Sequence, residues 1–137
     1  RQVKAPKIYI RDTGILHALL GIADRDALEG HPKVGASWEG FVIEQTLTPI
    51  VGARGYYWRT QAGAELDLLL PIRGKRIGIE IKRSDAPKIT PSMQSALTDL
   101  KLHRLFVVYP GNTRYALSER IEVLPLDALV ATLSKFR

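Results

Sequence analysis

The sequence predicts an α/β sandwich, in which a mixed β-sheet carries helices on its faces. Three observations lead there. Apolar residues surround much of a helical wheel over residues 36–51, at Trp38, Phe41, Val42, Ile43, Leu47, Ile50 and Val51. Two strand-like runs, 66–72 and 76–82, flank Arg73-Gly74-Lys75 as the arms of a hairpin flank its turn. A second helical segment then leads into Leu105-Phe106-Val107-Val108-Tyr109, a continuous apolar run of strand length, as expected for a strand covered on both faces. Short connections make the early strands antiparallel. The strand reached through a helix should lie parallel to its neighbour by a right-handed crossover. The core order is therefore helix, three strands, helix, strand.

Each element has a local reason. Ile8 and Ile10 alternate over residues 7–11, which reads as a short strand. Asp12 offers an N-cap to a helix with Ile15, Leu16, Leu19 and Leu20 on one face, ended by Gly21. Residues 24–32 are polar and punctuated by Gly and Pro, so a surface loop is expected. The 36–51 helix should be largely buried, with Glu44 on its polar side and Glu39 projecting between Val42 and Ile43. Tyr56-Tyr57-Trp58-Arg59 is an aromatic strand. Thr90 caps a helix with Pro91 at its first position and Met93, Ala96, Leu97 and Leu100 inside. A β segment at 121–124 and a helix from Pro125 complete the chain.

Composition narrows the function. The 137 residues suit one domain, and 45% apolar with 25% charged residues is a globular balance. With no Cys, disulfide scaffolds, thiolate zinc sites, iron–sulfur clusters and cysteine nucleophiles are excluded. His17, His31 and His103 have no ligand spacing, and no GxSxG, P-loop or GxGxxG motif occurs. No apolar stretch reaches membrane-spanning length and no secretory signal opens the chain, so a cytoplasmic location without membrane contact is expected. The formal charge is +6 and is uneven: +4 over residues 1–11, −4 over 12–72 and +5 over 73–104. That pattern suits an anionic partner beside a small acidic cluster.

The hairpin carries the chemistry. A two-residue loop at 73–74 opposes Leu66 to Ile81, Leu68 to Ile79 and Leu70 to Ile77 on one aliphatic face. The other face opposes Glu65 to Lys82, Asp67 to Glu80 and Leu69 to Gly78. Two carboxylates directly across a strand pair repel, and if buried they require a proton or a cation between them. An oxygen-preferring divalent cation, Mg²⁺ or Mn²⁺, converts that repulsion into coordination. Lys82 shares the face of Glu80, two residues away. Taken alone, Glu-Ile-Lys is an ordinary solvated strand pattern; Asp67 opposite and Glu39 upstream give it weight.

Asp67, Glu80-Ile81-Lys82 and Glu39, in this order of elements, resemble the PD-(D/E)XK or restriction-endonuclease-like nuclease superfamily. Four stretches are also similar to a family of unknown function found as the C-terminal domain of prokaryotic AAA+ ATPases. They are Lys7-Ile8-Tyr9-Ile10-Arg11-Asp12-Thr13-Gly14-Ile15-Leu16, Gly35-Ala36-Ser37-Trp38-Glu39-Gly40-Phe41-Val42, Tyr57-Trp58-Arg59-Thr60 with Gly63-Ala64-Glu65-Leu66-Asp67, and Ile79-Glu80-Ile81-Lys82-Arg83-Ser84. Leu66 stands where the superfamily name has Pro.

The resemblance implies a single three-layer domain over 1–137: an extension at 1–34, a nuclease-like core at 35–109, and a C-terminal strand and helix at 110–137. It implies an ATPase domain N-terminal to it, which fits a chain that does not open with Met. Asp67 and Glu80 would hold the metal with the Ile81 carbonyl. Lys82 would position the attacking water, and Glu39 would hold a second cation or a water. Gln94 lies where some of these nucleases place a glutamine, although a solvated helix residue is the simpler reading. Arg59, Arg73, Lys75, Arg76, Arg83 and Lys88 are the cations available to DNA, with a salt bridge to Glu65 as the simpler role for Arg59. The implied reaction is Mg²⁺- or Mn²⁺-assisted phosphodiester hydrolysis on DNA, and the competing reading is a silent module that binds nucleic acid or protein. Homo-oligomerisation is compatible with either.

Overall fold

The structure is a computed structural model that describes residues 6–136; Arg1 and Lys4 of the basic N-terminal stretch lie outside the described residues. Within the described residues eleven elements follow in order: α1 (Thr13–Leu19), α2 (Arg25–Glu29), α3 (Val34–Leu47), β1 (Tyr56–Arg59), β2 (Glu65–Ile72), β3 (Lys75–Ile81), α4 (Pro91–Asp99), β4 (Arg104–Val108), β5 (Tyr115–Ala116), β6 (Ile121–Leu124) and α5 (Leu126–Ser134). The strands form one six-stranded mixed sheet in the order β1-β2-β3-β4-β6-β5. β1, β2 and β3 are antiparallel neighbours, and β4 joins β3 in parallel through α4, as the connection lengths predict.

Two apolar layers sandwich the sheet. On one side, Val42 of α3 and Leu129 and Leu133 of α5 pack on Leu68, Leu70, Ile77, Ile79, Phe106 and Val108. On the other, Met93, Ala96 and Leu97 of α4 pack on Leu105, Val107, Ile121 and Val123. β4 contributes to both, which is why 105–109 reads as unbroken apolar sequence.

The hairpin has the predicted register, from Leu68↔Ile79 to Ile72↔Lys75. Arg73 (φ 46°) and Gly74 (φ 77°) both take left-handed conformations, as the favoured two-residue hairpin turn requires. Thr90 Oγ1 accepts from the Met93 amide and Asp12 accepts from the Ile15 amide, so both predicted caps are formed.

Four local expectations are corrected. Residues 7–11 form no strand; their alternation comes from side chains docking on α3. Residues 24–32 are not all loop, because Asp24 caps the short helix α2. The long helix starts two residues before the expected position and ends at Leu47 rather than Val51, and only Ser37, Gly40, Val42 and Thr46 in it are fully buried. Finally, Leu66 does not share the face of Leu68 and Leu70. β1 and β2 pair as Tyr56↔Leu69 and Trp58↔Leu66, so two steps on β1 face three on β2. This β-bulge sits at Asp67 and Leu68 and turns Leu66 to the α4 side.

Candidate functional site

The bulge and the open end of the hairpin place Asp67. Its Oδ2 accepts the Ile81 amide at 2.8 Å, which ties the carboxylate to β3 beside Glu80. Both acids are buried, Asp67 at 8% and Glu80 at 4% exposure, and their carboxylates lie against one another. Lys82 Nζ reaches back to Glu80 Oε1 at 3.2 Å while remaining 37% exposed, so this ammonium touches both the buried acid and solvent. Trp38 of α3 donates its Nε1–H to the Lys82 carbonyl at 3.1 Å and fixes the chain where β3 ends.

Glu39 enters from α3. Its Oε1 accepts from Lys7 Nζ at 2.8 Å and from the Tyr9 hydroxyl. Lys7 Nζ also lies 3.6 Å from Asp67 Oδ1 and 4.2 Å above the Tyr57 ring. Tyr57 in turn donates to Glu65 Oε2 at 3.0 Å. The structure thus brings Glu39, Asp67, Glu80, Ile81 and Lys82 to one end of the sheet, and adds Lys7 and Tyr9. Sequence reasoning missed those two. The available signal was the alternation of Lys7, Tyr9 and Arg11, which reads equally well as a strand.

Electrostatics follow from burial. Loss of hydration and the Asp67 charge push the Glu80 carboxyl up to about 8, against the opposing pull of Lys82. Asp67 is also raised, by burial and then by Glu39, against the Ile81 amide and the two lysines. Burial disfavours the Lys7 ammonium, but its bond to Glu39 and the charges of Glu39 and Asp67 outweigh that and hold its pKa above the usual value. Tyr9 is raised by burial and by its bond to Glu39, so its hydroxyl stays a donor.

Glu80 Oε2 is buried without a hydrogen-bond partner. With both acids ionised there is no donor between them, so a proton or a cation is needed. The donors are all oxygens, which fits Mg²⁺ or Mn²⁺. Among the described residues no group of three His, Cys, Asp or Glu side chains is arranged to hold a metal. A cation here would be held by Asp67 and Glu80, with main-chain oxygen and water completing its shell.

The remaining candidates are dispersed. Arg59 pairs with Glu65 at 3.9 Å and Arg83 with Glu29 at 2.8 Å. Lys88 is exposed in the loop before α4, and Gln94 is exposed on α4. Arg73, Lys75 and Arg76 stand at the turn end of the hairpin. Arg76 is four residues from Glu80, roughly 13 Å along the strand.

Residues 34–129 match the family described as "Domain of unknown function (DUF4143)". Over 132 residues the chain is 55% identical to Uncharacterized protein Rv2008c of Mycobacterium tuberculosis, and equally to Uncharacterized protein Mb2031c of Mycobacterium bovis. The match covers 96% of this chain and 30% of each relative, so the chain spans less than a third of the length of the curated relatives it matches. The chain belongs to the DUF4143 family of domains of unknown function.

Proposed function

We propose that this domain is a restriction-endonuclease-like module of a AAA+ ATPase in the cytoplasm, and that it hydrolyses phosphodiester bonds in DNA with Mg²⁺ or Mn²⁺. The observation that carries this reading is the buried contact of Asp67 and Glu80, with Glu80 Oε2 unpartnered and Lys82 at its mouth. A bound divalent cation supplies Lewis-acid charge to a phosphoryl oxygen and lowers the pKa of water. The chain's own residues do the rest. Asp67 and Glu80 hold the charge in a dry setting, where electrostatic interactions are strong. Lys82 is exposed enough to meet a phosphate and to orient a water against it. Trp38 keeps the Lys82 main chain in place.

In Mg²⁺ or Mn²⁺ the protein should nick plasmid DNA. Lys82→Ala should lower the rate about 100-fold or more, the scale of losing one transition-state stabiliser, while leaving DNA binding intact. Absence of cleavage on plasmid, branched and single-stranded DNA by the full-length protein rejects this reading.

A second reading is a silent module that gives the ATPase its target. Its support is Lys7, which already offers Glu39 and Asp67 a cation from the chain itself.

A further inference from the structure

We propose that residues 7–11 form a strap that closes the acidic cluster to divalent cations, with the Lys7 ammonium as its resident charge and Asp12, the cap of α1, as its fixed end. Withdrawal of the strap then admits the metal. The inference rests on the reading of Asp67 and Glu80 as the pair that holds a cation.

The geometry of Lys7 comes first. Its ammonium is 2.8 Å from Glu39, 3.6 Å from Asp67 and 4.2 Å from the Tyr57 ring centre. It therefore touches two acids of the cluster, Glu39 and Asp67, while Lys82 touches the third, Glu80. Charge is the second argument. With Lys7 seated, three carboxylates (Glu39, Asp67 and Glu80) face two ammoniums. With Lys7 withdrawn and the Glu80 proton displaced, they face Lys82 alone, a surplus of two negative charges. That is the charge a divalent cation supplies, and no other cation is needed to balance it.

The third argument is how the strap is held. Lys7 and Tyr9 dock on Glu39, and Arg11 docks on Glu44 at 3.1 Å, so alternate side chains grip α3. The grip has a prepared seat: a side chain at Gly40 would bring its Cβ to 3.1 Å from the Tyr9 ring. The outward residues Ile8 and Ile10 are 87% and 39% exposed, so the half-buried Tyr9 ring on Gly40 is the main apolar contact that lifting the strap breaks. Among the described residues, no main-chain hydrogen bond ties 7–11 to the sheet or to a helix. The strap can therefore leave as a unit by breaking a few side-chain contacts, without melting any element.

Manganese itself is the probe, titrated into the full chain by calorimetry and by the electron paramagnetic resonance of free Mn²⁺. Lys7→Met keeps the length of the side chain and removes its charge, and should tighten Mn²⁺ binding about tenfold or more, within the usual range of coupling between sites. Tyr9→Ala, which loosens the strap and leaves every charge of the cluster in place, should give a smaller gain of the same sign. Because the chain has no Cys, Ile8→Cys gives a unique position for a spin label. Saturating Mg²⁺, which is diamagnetic and leaves the label's line shape readable, should mobilise that label in an otherwise wild-type background.

If Lys7→Met binds Mn²⁺ no better than wild type and the label stays immobile, while Asp67→Asn still weakens binding, the strap proposal is wrong and the cation pair stands. If neither Asp67→Asn nor Glu80→Gln alters Mn²⁺ binding in either background, the cation pair is wrong and the strap proposal falls with it.

Discussion

Glu80 is an acid that the fold holds at a cost. Burial and the neighbouring Asp67 raise its pKa from 4.5 to about 8, with Lys82 opposing. Between those values the native state binds more protons than the unfolded chain, so stability falls as pH rises through the window. The stabilising contribution of the protonated pair is complete below the unfolded value and is lost above the folded one. In EDTA, the melting temperature should therefore decline from about pH 5 to about pH 8. Glu80→Gln should flatten that slope and stabilise the protein at the alkaline end by on the order of 1–3 kcal/mol. Thermal melts across the range check this, and an unchanged slope in the variant refutes the assignment. Glu80 and Lys82 were legible as one face of β3 because a hairpin register is simple arithmetic once its turn is found, whereas the paired register stops at Leu68↔Ile79 and Asp67 lies just beyond it, at the bulge. Lys7 was not, because 32 residues separate it from Glu39 and no periodicity links an irregular strap to a helix it lies across.

At the scale of elements, the β2 bulge decides where Asp67 points. Strict alternation on β2 puts Leu66 under α3 and α5. The extra residue turns it instead to the α4 side, where it packs near Gly78. The aliphatic pattern Leu66, Leu68, Leu70 hid this, since both sides of the sheet are apolar and either position for Leu66 buries it. The same logic explains why helices were found more easily than their ends. Apolar residues beyond Leu47, such as Ile50 and Val51, continue the pattern of α3 into a turn, and Val51 ends fully exposed. Gly78 is the element-level test. A Cβ there would approach Leu102 Cδ1 to 2.6 Å and Leu66 Cδ1 to 3.4 Å, both in side chains that are almost wholly buried. Gly78→Ala should destabilise by about 1–3 kcal/mol through overpacking, read as a lower urea midpoint at unchanged slope. A neutral result would mean that Leu102, in the connection from α4 to β4, and Leu66 of β2 adjust freely around β3, and that the packing there does not fix the bulge.

Across the whole molecule the charges separate toward two ends of the sheet. The acids gather where β3 ends, while the hairpin cations of the +5 stretch stand where it begins, joined there by others that the sequence does not place beside them. β3, β4 and β6 start side by side: the His103 amide donates to the Arg76 carbonyl at 2.8 Å and the Leu105 amide to the Arg120 carbonyl at 2.9 Å. Arg76 and Arg120 donate to the carbonyls of Leu100 and Leu102, and a cleft of about 830 Å³ opens among them, lined also by Lys75, Lys101 and Arg104 and by the acids Asp99 and Glu119. Only adjacency in the parallel sheet brings these residues together, which is why a charge count along the chain put the basic surplus next to the acids instead. If DNA is the partner, the two ends have separable roles, holding the backbone at one and acting on it at the other. Lys75→Glu with Lys101→Glu should then weaken duplex binding in EDTA and reduce the log–log salt slope by about 2, one counterion for each lost phosphate contact. Arg83→Glu, whose guanidinium is committed to Glu29 in wild type, should leave both nearly unchanged. Fluorescence anisotropy over a series of salt concentrations measures the two quantities together. If the cleft variant keeps the wild-type slope, the backbone is held elsewhere, and Arg76 and Arg120 serve only to hold the connection from α4 to β4.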